Sequence, residues 1–146
     1  MNVLFGIGNE DRGDDGVGPY VAKRINFTGW IGVNCSTIPE NFTSIVKKEK
    51  PELLVIVDAA EMGLEPGEIR VIPREKVDEL TMSTHYIPLS VLIRYLEESA
   101  NRIMFVGIQP KERTEGNELS KEVREGAERL LEFIRQGKLE RIKKIN

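Results

Sequence analysis

The chain carries a pair of adjacent acids, Asp14 and Asp15, a further aspartate, Asp58, and a single histidine, His85, and these residue types can do chemistry together. The pair sits in Gly13-Asp14-Asp15-Gly16, where small neighbours let the backbone turn and leave the carboxylates exposed in a crevice. One acid there can cap the following helix at the positive end of its dipole. Two exceed what capping requires, which leaves the second for other work. Asp58 ends the apolar run ELLVIVDA, so its carboxylate is partly desolvated and needs a cation or several hydrogen-bond donors. Two carboxylates and one imidazole make an O,O,N set suited to a divalent first-row metal with open positions. Each residue also has a plainer reading: a helix cap for the pair, a turn cap for Asp58, a surface or satisfied core position for His85. Cys35 has no second thiol or evident base beside it and reads as packing.

Bringing these residues to one place is the task of the elements around them. Asn2–Ile7 reads as a buried strand, followed by the acidic loop and a helix from about Val17 to Ile25. Trp30–Thr37 is a second strand, and Pro39 with Asn41 opens a helix that runs through Lys50. Glu52–Ala59 is apolar on both faces, as central parallel strands are, whereas Glu68–Ile72 alternates like a half-exposed edge strand. Thr84–Ser99 reads as a helix that tolerates Pro88 in its first turn, and Ile103–Gln109 as the fifth strand. Glu118–Gln136 is an amphipathic helix, and the basic tail LERIKKIN is expected to fray. Strand–helix alternation predicts a single domain over residues 1–146, an α/β three-layer sandwich with a mainly parallel five-stranded sheet. Ligands of such sheets bind beyond the carboxyl ends of the strands. That rule gathers the acidic loop, Asp58 and Gln109–Pro110 at one edge.

Charge and composition narrow the function. A net charge of −3 gives no reason to expect nucleic acid or an anionic membrane as partner, and no apolar run is long enough to span a bilayer. The lone cysteine and an N-terminus without a basic leader fit a reducing cytoplasm. Gly6-Ile7-Gly8-Asn9-Glu10-Asp11 has two of the three dinucleotide-loop glycines, but acids stand where a pyrophosphate would approach. From spacing alone a second α/β reading stays open. A phosphorylatable receiver domain also has an acidic pair after strand one, an aspartate after strand three and a lysine after strand five, here Lys111. A receiver has no use for His85, and its acidic pair follows strand one directly.

The wording of the segments adds to this. Gly6-Ile7-Gly8-Asn9, Gly13-Asp14-Asp15-Gly16-Val17-Gly18-Pro19, Pro39-Glu40-Asn41, Val57-Asp58-Ala59, Pro66-Gly67-Glu68, Thr84-His85 with Pro88-Leu89, and Gly107-Ile108-Gln109-Pro110 occur in that order. Together they resemble the hydrogenase maturation endopeptidases, nearest to the formate-hydrogenlyase-type branch. The resemblance implies a cytoplasmic hydrolase that removes the C-terminal extension of a nickel–iron hydrogenase large-subunit precursor once nickel is inserted. It implies a twisted sheet with helices on both faces, and metal contact and catalysis by Asp15, Asp58 and His85. The implied metal is nickel, supplied by the substrate or resident, with zinc or cadmium able to substitute. The implied partner is the nickel-loaded precursor, with no nucleic acid and no membrane. A metal-free mechanism in which Asp15 and Asp58 share a proton is the aspartic-protease alternative, and it leaves His85 idle. A nickel-binding accessory protein without peptidase activity is another. After Pro110 the short charged stretch KERTEGNELS departs from the family pattern, in which this connection can be longer and more aromatic.

Overall fold

In a computed structural model of the protein, which describes residues 1–82, 85–111, 116 and 118–146, five strands form one sheet. The strands are β1 (Asn2–Ile7), β2 (Trp30–Ser36), β3 (Leu53–Ala59), β4 (Ile69–Val71) and β5 (Arg102–Ile108). Their order across the sheet is β2-β1-β3-β5-β4. All neighbours run parallel except β4, which lies antiparallel to β5 at the edge. The helices are α1 (Val17–Lys23), α2 (Thr43–Glu49), α3 (Arg74–Leu80), α4 (Leu89–Leu96) and α5 (Lys121–Gln136). Short 3₁₀ turns cover Gly13–Gly16, Pro39–Phe42 and Leu139–Arg141.

The period-two alternation of the strands divides the core between two faces. Leu4, Val55 and Val57 pack under α1 and α5 with Val21, Ala127 and Leu130. Phe5, Leu54 and Ile56 pack on the other side against α2, α3 and α4 with Val46, Val77 and Leu92. The chain leaves β1 toward β2 and then crosses to β3 on the opposite side, so the strand order reverses between β1 and β3. That crevice is where a doubly wound sheet accommodates a ligand. Two glycines let the helix after it come close. A Cβ on Gly6 would stand 2.0 Å from the Gly18 carbonyl oxygen, and one on Gly18 would stand 2.2 Å from that of Ile7. The glycines of the acidic loop thus serve backbone-to-backbone packing of α1 on β1.

Three expectations need correction. The stretch Arg74–Leu80 forms α3, an element that the sequence pattern does not reveal because Val77 is its one buried residue. The helix expected from Thr84 starts at Leu89, after the N-cap Pro88, so His85 precedes it; Thr84 itself lies outside the described residues. The basic tail does not fray. Leu139 and Ile142 are buried, and the segment adds to the sheet edge through Val71 N–H to the Lys143 carbonyl (2.8 Å) and Ile145 N–H to the Val71 carbonyl (2.9 Å). Covering that edge satisfies backbone groups that β4 would otherwise leave open.

Candidate active site at the carboxyl ends of β1 and β3

The loop after β1 places both acids inward. Asp14 is 1% exposed and Asp15 2%, so the pair is buried, contrary to the expectation of exposed carboxylates. Asp14 Oδ1 accepts the Ser120 N–H at 2.7 Å, while its Oδ2 accepts the Lys111 N–H at 2.8 Å and the Ser120 hydroxyl at 2.9 Å. It ties the end of the β5 connection and the start of α5 to the acidic loop. This is a structural role, and it spans elements rather than capping the helix that follows. Asp15 Oδ2 accepts the Asn9 N–H at 3.2 Å.

Asp58 lies on β3 two and four residues after Ile56 and Leu54, so alternation turns it to the face covered by α4. It is wholly buried, and Oδ1 accepts its neighbour Ala59 N–H at 2.8 Å. His85 meets it from the other side. The Glu61 N–H donates to the Leu80 carbonyl at 2.8 Å, and Ala60 bridges Thr81, so the end of α3 is held against the end of β3. The chain then has four residues to reach His85. The imidazole is 4% exposed, and Nε2 stands 3.4 Å from Asp58 Oδ2. The alignment does not make a hydrogen bond: Asp58 Oδ2 and both ring nitrogens of His85 are sealed from water without a partner.

Burial raises the Asp58 pKa to about 6, against the pull of the nearby imidazole; the Asp15 charge adds to the rise. Burial disfavours the charged imidazole too, but Asp58 first, then Glu40 and Asp15, outweigh it and leave the His85 pKa raised. Asp15 therefore acts electrostatically on both partners. Asp15, Asp58 and His85 share one charge-coupled locus, and Asp58 and His85 touch. As the pair stands closed, no group of three His, Cys, Asp or Glu side chains among the described residues is spaced to hold a metal ion. The donor chemistry of Asp58 and His85 does suit one, since a carboxylate oxygen and an imidazole nitrogen are buried there without partners.

Two residues have roles that sequence reasoning passed over. Gln109, 4% exposed, accepts the Met62 and Leu64 N–H groups at 2.8 and 3.2 Å and donates to Glu61 at 2.8 Å, clamping the loop that follows β3. Glu40 lies in the turn after β2 with Oε1 buried and unpartnered. In the sequence it stands out only as part of Pro39-Glu40-Asn41. Cys35 is buried, and burial together with the Glu40 charge pushes its thiol far up, so it packs and does not attack. The Lys111 ammonium, the lysine of the receiver-like reading, pairs with Glu122 at 2.9 Å.

Comparison with known proteins agrees with this architecture. A family model described as hydrogenase maturation protease matches residues 19–136. The Hydrogenase 3 maturation protease of Escherichia coli K12 is 40% identical over 113 residues, which cover 75% of this chain and 72% of that protein. The solution structure of the endopeptidase HycI from Escherichia coli gives a TM-score of 0.89 at 30% identity, covering 100% of this chain and 97% of that one. The crystal structure of a NiFe hydrogenase maturation protease HycI from Thermococcus kodakarensis KOD1 gives 0.81 at 34% identity, with 94% and 92% covered.

Proposed function

Because the chain belongs to the hydrogenase maturation proteases, a family of hydrolases, we propose that it removes the C-terminal extension of a nickel–iron hydrogenase large-subunit precursor after nickel insertion, using Asp15, Asp58 and His85. The observation that carries the site is the buried, touching and unpartnered pair of Asp58 and His85. Unmet polar groups in the interior are costly and cluster where chemistry is done. The proposed setting is the cytoplasm, and the proposed branch is that of formate-hydrogenlyase-type enzymes.

In the metal-free protein Asp58 has a pKa of about 6, which suits it to take a proton near neutral pH. In the proposed cycle its carboxylate accepts a proton from the attacking water as the water oxygen bonds to the scissile carbonyl carbon. It returns that proton to the leaving nitrogen as the C–N bond breaks. His85 and Asp15 set its proton affinity from opposite sides, the imidazole lowering it and the second carboxylate raising it. Nickel carried by the precursor is part of the substrate. Asp15, Asp58 and His85 would hold it, or zinc or cadmium in its place, and its Lewis acidity would polarise the scissile carbonyl. Binding through the cargo also supplies proximity and orientation for a single peptide bond. The two-aspartate alternative has no use for His85, and the 3.4 Å contact with Asp58 favours the reading that employs it.

Purified protein incubated with nickel-loaded or metal-free precursor decides the question, with the C-terminal fragment followed by mass spectrometry. The expected result is one cut, in the loaded form alone. Equal cleavage of both forms, or rapid cleavage of casein, overturns nickel gating. Loaded precursor bound but left at its original mass overturns the peptidase reading in favour of an accessory protein.

A further inference from the structure

Among the described residues, the larger apolar side chains left exposed are Met1, Ile38, Tyr86, Val91 and Tyr95. Their placement is one-sided. None belongs to α1 or α5, which cover one face of the sheet; Tyr86, Val91 and Tyr95 belong to α4 and the residues leading into it, on the other face. The two faces also differ in their helices. Half of the residues of α5 (KEVREGAERLLEFIRQ) are charged, whereas α4 (LSVLIRYL) carries Arg94 alone. The outer face of a surface helix is ordinarily polar. That of α4 presents Val91 and Tyr95, four residues apart and therefore neighbours on one side, each about half exposed.

This strip begins at the candidate site. Tyr86 follows His85 directly, and while the imidazole is sealed inside, Tyr86 is 91% exposed. Consecutive Cα atoms stand about 3.8 Å apart, so whatever covers Tyr86 also meets the entrance to the site. On the far side α2 borders the strip, with the Lys47 ammonium donating to the Tyr95 hydroxyl. The charges beside Val91 and Tyr95 are thus cations, Lys47 and Arg94; acids come only past the end of α4, at Glu97 and Glu98. Tyrosine and arginine are the side chains that contribute most where proteins bind one another. A specific contact between proteins covers roughly 800 Å² per partner, far more than the surroundings of one peptide bond offer, so a protein substrate must rest on surface beyond the catalytic residues. We propose that the strip of Tyr86, Val91 and Tyr95 is where the body of the hydrogenase precursor docks, through an apolar patch of the precursor edged by carboxylates that meet Lys47 and Arg94. This rests on the reading that a protein precursor is cut beside His85.

Binding is measured by calorimetry with nickel-loaded precursor and the Asp58→Ala protein, which leaves the precursor whole. Adding Tyr86→Ser or Tyr95→Ser should raise Kd about 10-fold or more, and Val91→Ser by less. Melting temperatures should stay near that of Asp58→Ala, because all three side chains are exposed. Arg94→Glu should also weaken binding, by turning a cation against the carboxylates of the precursor. With Asp58 in place, Val91→Ser and Tyr95→Ser should raise KM for cleavage and leave kcat at saturating precursor close to the parent value. Glu125→Ser, on the exposed side of α5, should move neither constant. Kd and KM unmoved by the Tyr86, Val91 and Tyr95 substitutions overturn the docking surface, and tighter binding by Arg94→Glu overturns the acidic rim assigned to the precursor. A dimer of this chain in sedimentation that Tyr95→Ser dissociates would give the strip to a second copy and overturn it as well. A parent protein that binds the precursor through the strip but leaves its mass unchanged fails the peptidase reading alone; cleavage with KM unmoved fails the docking alone.

Discussion

Asp14 and Asp58 are both aspartates removed from water, at 1% and 0% exposure, and they stand at neighbouring strand ends. Their surroundings are opposite. Among the described residues, Asp14 accepts the Lys111 N–H and the Ser120 N–H and hydroxyl, spread over both oxygens. Asp58 receives one, from Ala59, and its second oxygen meets only a misaligned imidazole. A buried carboxylate whose lone pairs are filled joins segments of chain. One left open at an oxygen has its proton affinity lifted by desolvation and stays available to react. Burial alone therefore does not mark the site; burial without partners does.

The comparison breaks most sharply through activity. Asp58→Ala and His85→Ala should each slow precursor cleavage by about 10²–10⁴-fold, the range lost with a positioned acid–base group. Thermal melting should show Asp58→Ala to be no less stable than the parent. Asp14→Ala should do the reverse. It strands two backbone N–H groups and a hydroxyl, so urea unfolding should register a loss of about 3 kcal/mol. Its cleavage rate per folded molecule should fall far less than that of Asp58→Ala. A stable Asp14→Ala protein as inactive as Asp58→Ala would erase the distinction.

A smaller effect of defined sign comes from pH. Folding raises the Asp58 pKa from 3.8 to about 6, so the native state binds this proton more tightly than the unfolded chain. Stability must therefore fall as pH rises through that window and be regained on acidification. The raised His85 pKa works in the same direction: its contribution is full below the ordinary imidazole value of 6.5 and is lost as pH climbs past the folded value. Asp58→Asn removes the buried charge. In metal-free protein it should stabilise by about 1–2 kcal/mol at pH 7, the lost His85 contact offsetting part of the gain. Melting curves should show that advantage shrinking toward pH 4. An advantage that grows on acidification would mean that Asp58 is better satisfied than its one hydrogen bond indicates.

The smallest effect is expected at Glu10, a half-exposed acid of the same loop. It pairs with the Lys23 ammonium and accepts from Asn34 at 2.9 Å, with 41% of its side chain exposed. Exposed pairs of this kind contribute about 0–1 kcal/mol. Glu10→Gln should change urea stability by less than about 0.5 kcal/mol and leave cleavage unaltered. Three acids of one crevice would then rank by what surrounds them and not by their place in the sequence.

Much of this fold was legible without coordinates. The strands β1, β3 and β5 announce themselves as apolar runs because both of their faces are covered, and β4 announces its edge position by alternation. Asp58 and His85 could be singled out because a carboxylate ending such a run, and a lone imidazole, are chemically conspicuous. Other features were hidden for physical reasons. The helix α3 is short and mostly solvated, so its periodicity is weak, yet it delivers His85 to Asp58. The tail looked free because its Lys and Arg residues mask Leu139 and Ile142, whose burial depends on a sheet edge some seventy residues away in sequence.

The sequence by itself determined which residue types stand at the ends of β1 and β3, because strand periodicity and glycine spacing are local properties of the chain. Only the tertiary structure decided what each acid does. Asp14 and Asp15 are neighbours with identical side chains, and nothing local separates them. Asp14 is bound by donors from Lys111 and Ser120, about a hundred residues on, while the charge of Asp15 acts on Asp58 and His85. The role of a carboxylate depends on which donors and charges surround it, and here those come from elements that meet only when the sheet closes.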